Sequence, residues 1–343
     1  MECKYKVAWI PWSDSIAEDS IFHGDENDYH VKIAKECENI GIEIHTIDMY
    51  ENLEEADIFL FAIFNYKYLL LLDKKGLLSK AVYFSGEPPV VEPLNSKEGY
   101  EILKKFFANI MTWDKNLVDN VRIFHRNIPY CFVERYGDPG IQQKLLVNMS
   151  GNKHSKHPLE LYSTREEIVL WFEKNHLDQI ELYGPGWNLK KHPSWKGRAA
   201  DKYKVYHNFK FALALENTHG VSGYLSEKLP DCLCAGIVPV YWGPTNVDDF
   251  VPSNCYIDYS KFSNPEELYD FLINMSKDEY LRYLDEIDRF IKGKKSELFS
   301  HKYLAKCILD VIEKGYRENI KLSLFTRIWL KINIGYQKFR KWL

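Results

Sequence analysis

Short apolar runs alternate with amphipathic stretches along the first third of the chain. The runs are rich in β-branched and aromatic residues and predict β-strands, whereas the stretches between them have apolar positions at helical spacing and predict helices. The predicted strands cover residues 5–10, 43–48, 57–63, 80–85 and 109–113, and the predicted helices cover residues 28–40 and 98–107. This alternation is typical of a parallel sheet wrapped by helices, so we predict one α/β domain here.

A second α/β series follows a turn-rich segment at residues 135–140 and starts with the strand-like run 144–149. The elements predicted after it are helices at 164–175, 199–206 and 224–235 and strands at 180–183, 209–215, 237–241 and 255–258. From Asn264 the pattern is helical to about residue 316, and it opens with the helix-start signature Pro265-Glu266-Glu267. We therefore predict an N-terminal domain over 1–143, a second domain over 144–316 and a tail over 317–343.

The composition agrees with two folded domains in a reducing compartment. With 343 residues and 45% apolar content, the chain is long enough to form two cores. Its seven cysteines are odd in number and scattered over apolar stretches, which does not fit a disulfide framework. Cys232 and Cys234 are closer together than zinc ligands usually are, so we assign them to the core. No signal peptide opens the sequence and no apolar run is long enough to span a bilayer, so a cytoplasmic protein is expected unless something tethers it.

Residues 321–343 differ in charge from the rest of the chain. They carry six basic residues and no acidic one, which leaves −10 for the remainder of a chain with a net charge of −4. Apolar side chains recur among the basic ones at helical spacing, at Ile328, Trp329, Ile332, Tyr336, Phe339 and Trp342. A basic amphipathic helix of this kind either binds an anionic membrane surface or packs on the protein. No nucleic acid partner is expected, because the body is acidic and no RNA-binding motif is present.

The segment from Phe209 to Lys228 has the pattern of a phosphate-binding site. A buried strand is followed by a loop with two glycines and by a helix start at Ser226-Glu227-Lys228. Unpaired N–H groups and the dipole at a helix N-terminus favour an anion. Lys228 would add charge beside bound phosphates, Glu227 could accept hydrogen bonds from a ribose, and Tyr224 offers a ring face or a hydroxyl. The alternative for these residues is a helix cap with a solvated ion pair.

Three blocks in this region resemble the donor motif of the α1,3-fucosyltransferases, family 10 of the glycosyltransferases. The blocks are Phe209-Lys210-Phe211 through Glu216-Asn217, Tyr224-Leu225-Ser226-Glu227-Lys228, and Ala235-Gly236-Ile237-Val238-Pro239-Val240-Tyr241-Trp242-Gly243-Pro244, and their spacing fits without gaps. The resemblance implies that the donor is bound by Glu216, Asn217, Tyr224, Glu227 and Lys228. Pro230 departs from a regular first helical turn because it lacks a backbone donor, which leaves the start of this helix open. His219 is interpreted as a hydrogen-bonding loop residue rather than an acid or base.

The resemblance extends more loosely upstream. Residues 147–152, followed by Ser163-Thr164-Arg165, look like the strand and the arginine that open the donor domain of the family. The resemblance implies a contact between Arg165 and the diphosphate. On sequence alone Arg165 is a first-turn helix residue, for which a surface position is the default.

A Gly-Glu pair follows the predicted strand 80–85. The run Tyr83-Phe84-Ser85-Gly86-Glu87-Pro88-Pro89 resembles the strand-end Gly-Glu of the family, whose glutamate is the proposed general base. Independently, a carboxylate at the carboxyl end of a parallel strand, held by glycine and two prolines, lies where open α/β sheets bind ligands. Glu92 is the reserve candidate, and the alternative for Glu87 is an ordinary solvated loop glutamate.

The resemblance also implies a fold and a reaction. The fold is α/β, with two Rossmann-like domains facing a cleft (GT-B type) and a C-terminal basic amphipathic helix. The reaction is transfer of L-fucose from GDP-β-L-fucose, with inversion, to a glycan hydroxyl, expected to be O3 of GlcNAc or glucose in a β-galactoside-type acceptor of surface polysaccharide, O-antigen or protein glycosylation. No divalent metal is expected to be required, because Arg165, Lys228 and the helix N-terminus would stabilise the leaving diphosphate. Asp248-Asp249 is interpreted as a solvated or capping pair.

Two alternatives to this reaction stay open. They are a related transferase that uses a different GDP-sugar and a non-catalytic sugar-nucleotide-binding protein of the same fold. Bacterial members of the resembled family often end in a basic membrane-associating tail. This favours an anionic membrane as the partner of residues 321–343 and a peripheral location on the inner face of the membrane.

Overall fold

The computed structural model describes residues 4–13, 15–26, 28–128, 130 and 144–340, with side chains up to residue 334 in the last range. The chain forms two compact units. Unit 1 comprises Met1–Pro129 and His301–Leu343, and unit 2 comprises Tyr130–Ser300. The turn-rich segment at which the domain boundary is predicted lies outside the described residues.

Unit 1 is built on a parallel sheet of six strands in the order β2-β1-β3-β4-β5-β6. The strands are β1 (Tyr5–Ile10), β2 (Ile42–Thr46), β3 (Ile58–Phe61), β4 (Ala81–Phe84), β5 (Asn109–Thr112) and β6 (Ile123–His125). The helices between them are α1 (Tyr29–Glu38), α2 (Tyr66–Lys75) and α3 (Lys97–Leu103). Every residue of β3, β4 and β5 is buried, as expected of central strands covered by helices on both faces.

Unit 2 repeats this architecture with five parallel strands in the order β11-β10-β9-β7-β8. The strands are β7 (Lys144–Met149), β8 (Ile180–Tyr183), β9 (Phe209–Leu213), β10 (Val238–Tyr241) and β11 (Ile257–Asp258). The helices are α4 (Tyr162–Asn175), α5 (Lys202–Tyr206), α6 (Lys228–Ala235), α7 (Pro265–Asn274) and α8 (Lys277–Ile291). Cys232 and Cys234 are buried free thiols on α6, so their assignment to the core is confirmed.

Two elements of unit 1 have no counterpart in the sequence prediction, α2 and β6. Helix α2 contains the unbroken apolar run Leu69-Leu70-Leu71-Leu72, which masks the helical period. Both ends of α2 nevertheless have residues that commonly begin and end helices. The Asn65 side chain caps the first turn, and Gly76 ends the helix in the left-handed conformation at φ 72°. Strand β6 has three residues and is too short to show a period.

Two helices after residue 300 return to unit 1, and this differs from the predicted boundary at residue 316. They are α9 (His301–Lys314) and α10 (Leu324–Arg340). Leu304 and Ile308 of α9 share a core with Ile33 of α1, so α9 covers the first sheet rather than the second. The apolar positions of α9 alone could not show which sheet they bury against.

Helix α10 packs on unit 1 through its contacts with α2. Leu330 is fully buried in the core that contains Leu69 and Leu72. Arg327 donates from Nε to the buried Asp73 carboxylate at 2.6 Å. The tail is therefore a helix anchored on the protein along one face. No helix in the described ranges has both the length and the apolar content needed to cross a bilayer.

Two histidines of unit 1, His125 on β6 and His301 on α9, are mainly buried. Burial lowers the pKa of each to about 4, and nearby positive charges act in the same direction. An unfolded histidine titrates near pH 6.5, so the folded protein binds fewer protons between about pH 4 and 6.5. The stabilisation from these neutral side chains is therefore present above pH 6.5 and is lost as the pH falls towards 4.

We expect the free energy of unfolding to fall by about 3–5 kcal/mol between pH 7 and pH 4.5 from these two groups. Urea unfolding at a series of pH values should show a smaller loss in the His125→Gln and His301→Gln variants. His23→Asn, at an exposed position, is the matched control and should leave the pH dependence of the unfolding free energy unchanged. If both buried-histidine variants kept the wild-type pH dependence of the unfolding free energy, these two histidines would be ruled out as a source of acid sensitivity.

Candidate active site

A buried carboxylate, Glu216, organises the loop that joins β9 to α6. It is fully buried and accepts hydrogen bonds from the Ser226 backbone N–H at 2.8 Å and the Ser226 hydroxyl at 2.6 Å. The Tyr241 hydroxyl, at the end of β10, donates to it at 3.2 Å. The Lys228 ammonium lies 3.7 Å away. These contacts fix the loop at both ends, because Glu216 follows β9 and Ser226 precedes α6.

Gly243 is required by the same packing. A Cβ atom at this position would lie 2.4 Å from the Tyr241 hydroxyl and 2.9 Å from Cγ of Glu216. Neither neighbour can move without breaking the hydrogen bond between them. Gly243, in the third sequence block, therefore leaves the space that the buried Glu216 carboxylate and its hydrogen bond to Tyr241 require.

Lys228 is the first residue of α6, and its side chain is only 14% exposed. Its ammonium donates to the Ser226 hydroxyl at 3.0 Å and to Oε1 of Glu227 at 3.3 Å. Burial alone would lower the pKa of Lys228, but the carboxylates of Glu216 and Glu227 outweigh it and the pKa is raised. A permanent positive charge is thus held at a helix N-terminus.

The start of α6 also explains Pro230. The helix begins at Lys228, later than the predicted 224, so Pro230 is its third residue. The N–H groups of the first helical turn have no partner within the helix. A proline there removes no helical hydrogen bond, and the departure from the family pattern is compatible with the fold.

Arg165 is buried, contrary to the surface position that is the default from sequence. It lies in the first turn of α4 and is 2% exposed. Its Nη2 donates to the carbonyl oxygens of Leu215 at 2.6 Å and Glu216 at 3.0 Å. Burial lowers the pKa of Arg165 and the charge of Glu216 opposes this. The guanidinium therefore stabilises the backbone at the start of the β9–α6 loop.

The other three predicted donor residues differ in exposure. Asn217 is half-buried and its carbonyl accepts from the Leu161 N–H at 3.2 Å, whereas Tyr224 is buried. Glu227 is the most exposed, with 61% of its side chain accessible. The part of Glu227 that is buried tends to raise its pKa, but the Lys228 ammonium beside it acts in the opposite direction, and the pKa of Glu227 is lowered overall. All six predicted residues thus lie on or against one loop, and their role as donor ligands stays a prediction.

Glu87 lies in unit 1, three residues after the end of β4, and is exposed. Its loop is held on the sheet at two points. The Asn95 amide donates to the Glu87 carbonyl at 2.6 Å, and the Tyr100 hydroxyl donates to the Ser85 hydroxyl at 2.8 Å. The Glu92 carboxylate accepts from the Leu94 N–H at 3.1 Å and so forms part of a turn. Of the two candidates, Glu87 has the exposed carboxylate on an anchored loop.

A family model matches a region that contains most of unit 2 and the start of α9. Residues 142–309 match the family model described as glycosyltransferase family 10 (fucosyltransferase), C-terminal. We call residues 142–309 the family 10 domain, after the model that they match. This match confirms the family resemblance that the three sequence blocks indicated.

Two curated fucosyltransferases align with part of the chain. The α-(1,4)-fucosyltransferase of Arabidopsis thaliana is 45% identical over 71 residues, which is 21% of this chain and 18% of the relative. The human GDP-fucose protein O-fucosyltransferase 3 is 30% identical over 139 residues, which is 38% of this chain and 28% of the relative. The chain thus spans less than a third of the length of either of these relatives.

The fold is shared over nearly the whole chain with a solved α1,3-fucosyltransferase in complex with GDP-fucose. That structure has a TM-score of 0.58, 16% sequence identity and coverage of 93% of this chain and 94% of the other. The predicted fold class is confirmed: two Rossmann-like α/β domains of the GT-B type and a C-terminal helix.

Sequence reasoning missed a second polar cluster in the family 10 domain, around Asp231 on α6. Asp231 is buried and accepts from Lys202 Nζ at 2.5 Å and from the Tyr130 hydroxyl. Tyr130 is also hydrogen-bonded to the Tyr203 hydroxyl at 2.7 Å. Burial raises the pKa of Asp231 although Lys202 opposes it. A lone acid within the apolar run Leu229-Pro230-Asp231-Cys232-Leu233 was the available signal for this cluster.

The remaining candidates of the family 10 domain have local partners. His219 stacks on Trp242 with ring centroids 4.7 Å apart, which the sequence did not suggest. The Asp248 carboxylate accepts from the Tyr256 hydroxyl at 2.7 Å, and the Asp249 carboxylate accepts from the Asn246 amide at 2.9 Å. Within the described ranges, no three His, Cys, Asp or Glu side chains are grouped as metal ligands would be.

Proposed function

We propose that this protein is an inverting fucosyltransferase that moves L-fucose from GDP-β-L-fucose to a hydroxyl of a glycan acceptor. The observation that carries the proposal is the Lys228 ammonium, held at the N-terminus of α6 in a family 10 domain. The α1,3 linkage, to O3 of GlcNAc or glucose in a β-galactoside-type acceptor, is part of the proposal. So is a role in surface polysaccharide or O-antigen synthesis.

The donor side needs groups that stabilise the charge developing on the leaving diphosphate. Lys228 supplies a positive charge at the N-terminus of α6, where the helix dipole also favours an anion. Arg165 fixes the carbonyl groups of the adjoining loop and adds a second positive charge behind it. The exposed Glu227 carboxylate is suited to accept hydrogen bonds from the ribose hydroxyls, with Asn217 and Tyr224 completing the donor set.

The acceptor side needs a base that takes the proton of the attacking hydroxyl. Glu87 is our candidate, because its carboxylate is exposed and its loop is anchored through Asn95 and Ser85. Attack on the anomeric carbon breaks its bond to the diphosphate oxygen in the same displacement. The β-linked donor then gives an α-fucoside, and no covalent enzyme intermediate is required.

We also propose that transfer proceeds without an essential divalent metal, because the cations of the protein take over the neutralisation of the diphosphate. A direct test incubates the purified protein with GDP-fucose and N-acetyllactosamine in EDTA and follows GDP release and the fucosylated product. GDP-mannose is the parallel donor. GDP-fucose turnover in EDTA is the expected result.

Other outcomes of this test overturn specific parts of the proposal. Turnover of GDP-mannose alone would replace the donor, and binding of GDP-fucose without turnover on a panel of glycans would indicate a non-catalytic binding protein. Activity that appears only after Mg²⁺ or Mn²⁺ is restored would contradict metal independence. Mapping the product linkage by NMR decides between α1,3 and the other linkages.

The C-terminal helix leads to a second part of the proposal, that the protein binds the inner face of a membrane peripherally. One face of α10 packs on unit 1 through Arg327 and Leu330. Another face exposes Phe325, Ile328 and Ile332, each between 47% and 78% accessible. An exposed apolar stripe among basic residues suits an anionic lipid surface. Because separate faces are used, packing on the protein and membrane binding are compatible.

The triple variant Phe325→Ser, Ile328→Ser, Ile332→Ser should lower co-sedimentation with phosphatidylglycerol-containing vesicles by about tenfold or more. The anchoring contacts of Arg327 and Leu330 remain, so the fold should persist. Leu189→Ser, which alters an exposed apolar residue of unit 2, is the control. Equal vesicle binding by the triple variant and the wild-type protein would remove the membrane from the proposal.

A further inference from the structure

A cluster of aromatic rings lies after the carboxyl end of β1 in unit 1. His30, the second residue of α1, is its centre. The His30 ring meets Trp9 edge-on at a centroid distance of 5.7 Å, Tyr29 at 4.7 Å and Phe22 at 6.4 Å. On its remaining side the ring lies 5.3 Å from Trp12 at an interplanar angle of 36°.

Trp12 is the outer member of this cluster. It is 47% exposed, whereas Trp9 is buried. The indole packs against His30, which itself packs against the three inner rings. Burial lowers the pKa of His30 although Asp28 opposes it, so the ring behind Trp12 is neutral at neutral pH. A flat aromatic face is thus presented to solvent on a rigid support.

The cluster is continuous with the strand that precedes Glu87. Trp9 packs against Phe84 with ring centroids 6.1 Å apart, and Phe84 is the last residue of β4. In the parallel sheet, the carboxyl ends of β1 and β4 lie at the same edge, with only β3 between them. Ligands of open α/β sheets bind beyond this edge. Trp12 and Glu87 therefore belong to one face of unit 1.

The segment of the chain that carries Trp12 is polar and acidic in sequence. Ser13 and Ser15 are hydrogen-bonded to each other at 2.8 Å beside the indole in the chain. Between Lys6 and Lys32 the sequence holds six acidic residues and no lysine or arginine. Hydroxyl and carboxylate oxygens suit the hydroxyl groups of a sugar, whereas the negative charge repels anionic ligands. The acidic segment therefore disfavours an anionic surface as the partner of this tryptophan.

We propose that Trp12 is a specificity-determining platform on which a neutral pyranose ring of the acceptor glycan stacks. This inference rests on the proposed function, since it assigns a second contact to the acceptor whose hydroxyl Glu87 activates. One face of a pyranose carries C–H groups and packs on an aromatic ring, while its rim hydroxyls remain available for hydrogen bonds. Neutral glycans should therefore be preferred over sialylated ones.

The test compares Trp12→Ala, Trp12→Phe and the control Val121→Ala, which alters another exposed apolar residue of unit 1. With N-acetyllactosamine as acceptor, Trp12→Ala should raise the acceptor KM by about tenfold and leave kcat within about twofold. GDP release from GDP-fucose without acceptor should be unchanged, and Trp12→Phe should recover most of the acceptor affinity. For the wild-type protein, the KM for 3′-sialyl-N-acetyllactosamine should exceed that for N-acetyllactosamine.

A saturation-transfer NMR experiment on N-acetyllactosamine, with irradiation of the aromatic protons, provides a readout that does not depend on turnover. Signals from C–H groups of one sugar face should be present with the wild-type protein and absent with Trp12→Ala. An unchanged acceptor KM in Trp12→Ala, with wild-type turnover intact, would overturn the Trp12 inference alone. Absence of GDP-fucose turnover in the wild-type protein would instead overturn the proposed function, and the NMR result would still decide whether Trp12 binds sugar.

Discussion

Replacing Glu87 by glutamine is expected to lower kcat for fucosyl transfer by about 10²- to 10⁴-fold. Glutamine has nearly the same shape but cannot accept the proton of the attacking hydroxyl. The loop should keep its conformation, because Asn95 binds the backbone carbonyl of residue 87 rather than its side chain. Affinity for GDP-fucose, measured by isothermal titration calorimetry, should therefore stay the same.

Glu92→Gln is the matched control for this result, since Glu92 is a nearby glutamate whose carboxylate belongs to a turn. Its kcat should remain within about threefold of the wild-type value. If Glu87→Gln turned over normally while Glu92→Gln lost activity, the base would be Glu92. Normal turnover by both variants would exclude each of them.

Replacing Lys228 by methionine is expected to affect both donor binding and stability. The variant removes a charged donor from the N-terminus of α6, and the Kd for GDP should rise by about 10- to 100-fold. It also leaves the Glu216 carboxylate buried without its cation, which should cost about 2–4 kcal/mol of unfolding free energy at pH 8. Calorimetry with GDP and urea unfolding measure the two effects separately.

The pH dependence of this stability loss identifies its cause. Burial raises the pKa of Glu216, so without Lys228 the side chain can take up a proton and avoid the buried charge. The loss should therefore be smaller at pH 5 than at pH 8. The double variant Glu216→Gln, Lys228→Met should recover stability at pH 8 but not GDP affinity. Lys204→Met, at a solvent-exposed position, is the control for charge removal.

A stability loss that was the same at both pH values, and that Glu216→Gln did not reduce, would show that Lys228 does not stabilise this carboxylate. GDP affinity equal to that of the wild-type protein would remove Lys228 from the donor site. The two parts of the prediction can therefore fail independently.

The architecture of the sheets could be predicted because buried strands and helices have apolar patterns that are visible in short stretches of sequence. The central strands are mainly apolar and are separated by helical patterns, and nearly all of them lie within a few residues of the predicted positions. Helix α2 escaped this reasoning because four consecutive leucines hide its period. Its cap at Asn65 and its terminal Gly76 would have revealed it.

The internal organisation of the candidate site could not be predicted in the same way. Arg165 is buried because it bonds to two carbonyl groups about 50 residues further along the chain. Glu216 is surrounded by Ser226, Lys228 and Tyr241, which the sequence showed only as separate motif positions. Motif spacing identified the right loop, but the division between exposed and supporting residues depends on long-range contacts.

The return of α9 and α10 to the first sheet makes unit 2 a continuous insertion within unit 1. The two ends of the insertion are joined, since the Tyr130 N–H donates to the Phe299 carbonyl at 2.5 Å. During synthesis on the ribosome, the sheet of unit 1 is therefore not fully covered until α9 and α10, at the end of the chain, have been made. The inserted unit is complete earlier. A premature stop near residue 300 would consequently leave unit 2 complete and damage unit 1, the part of the protein that was made first.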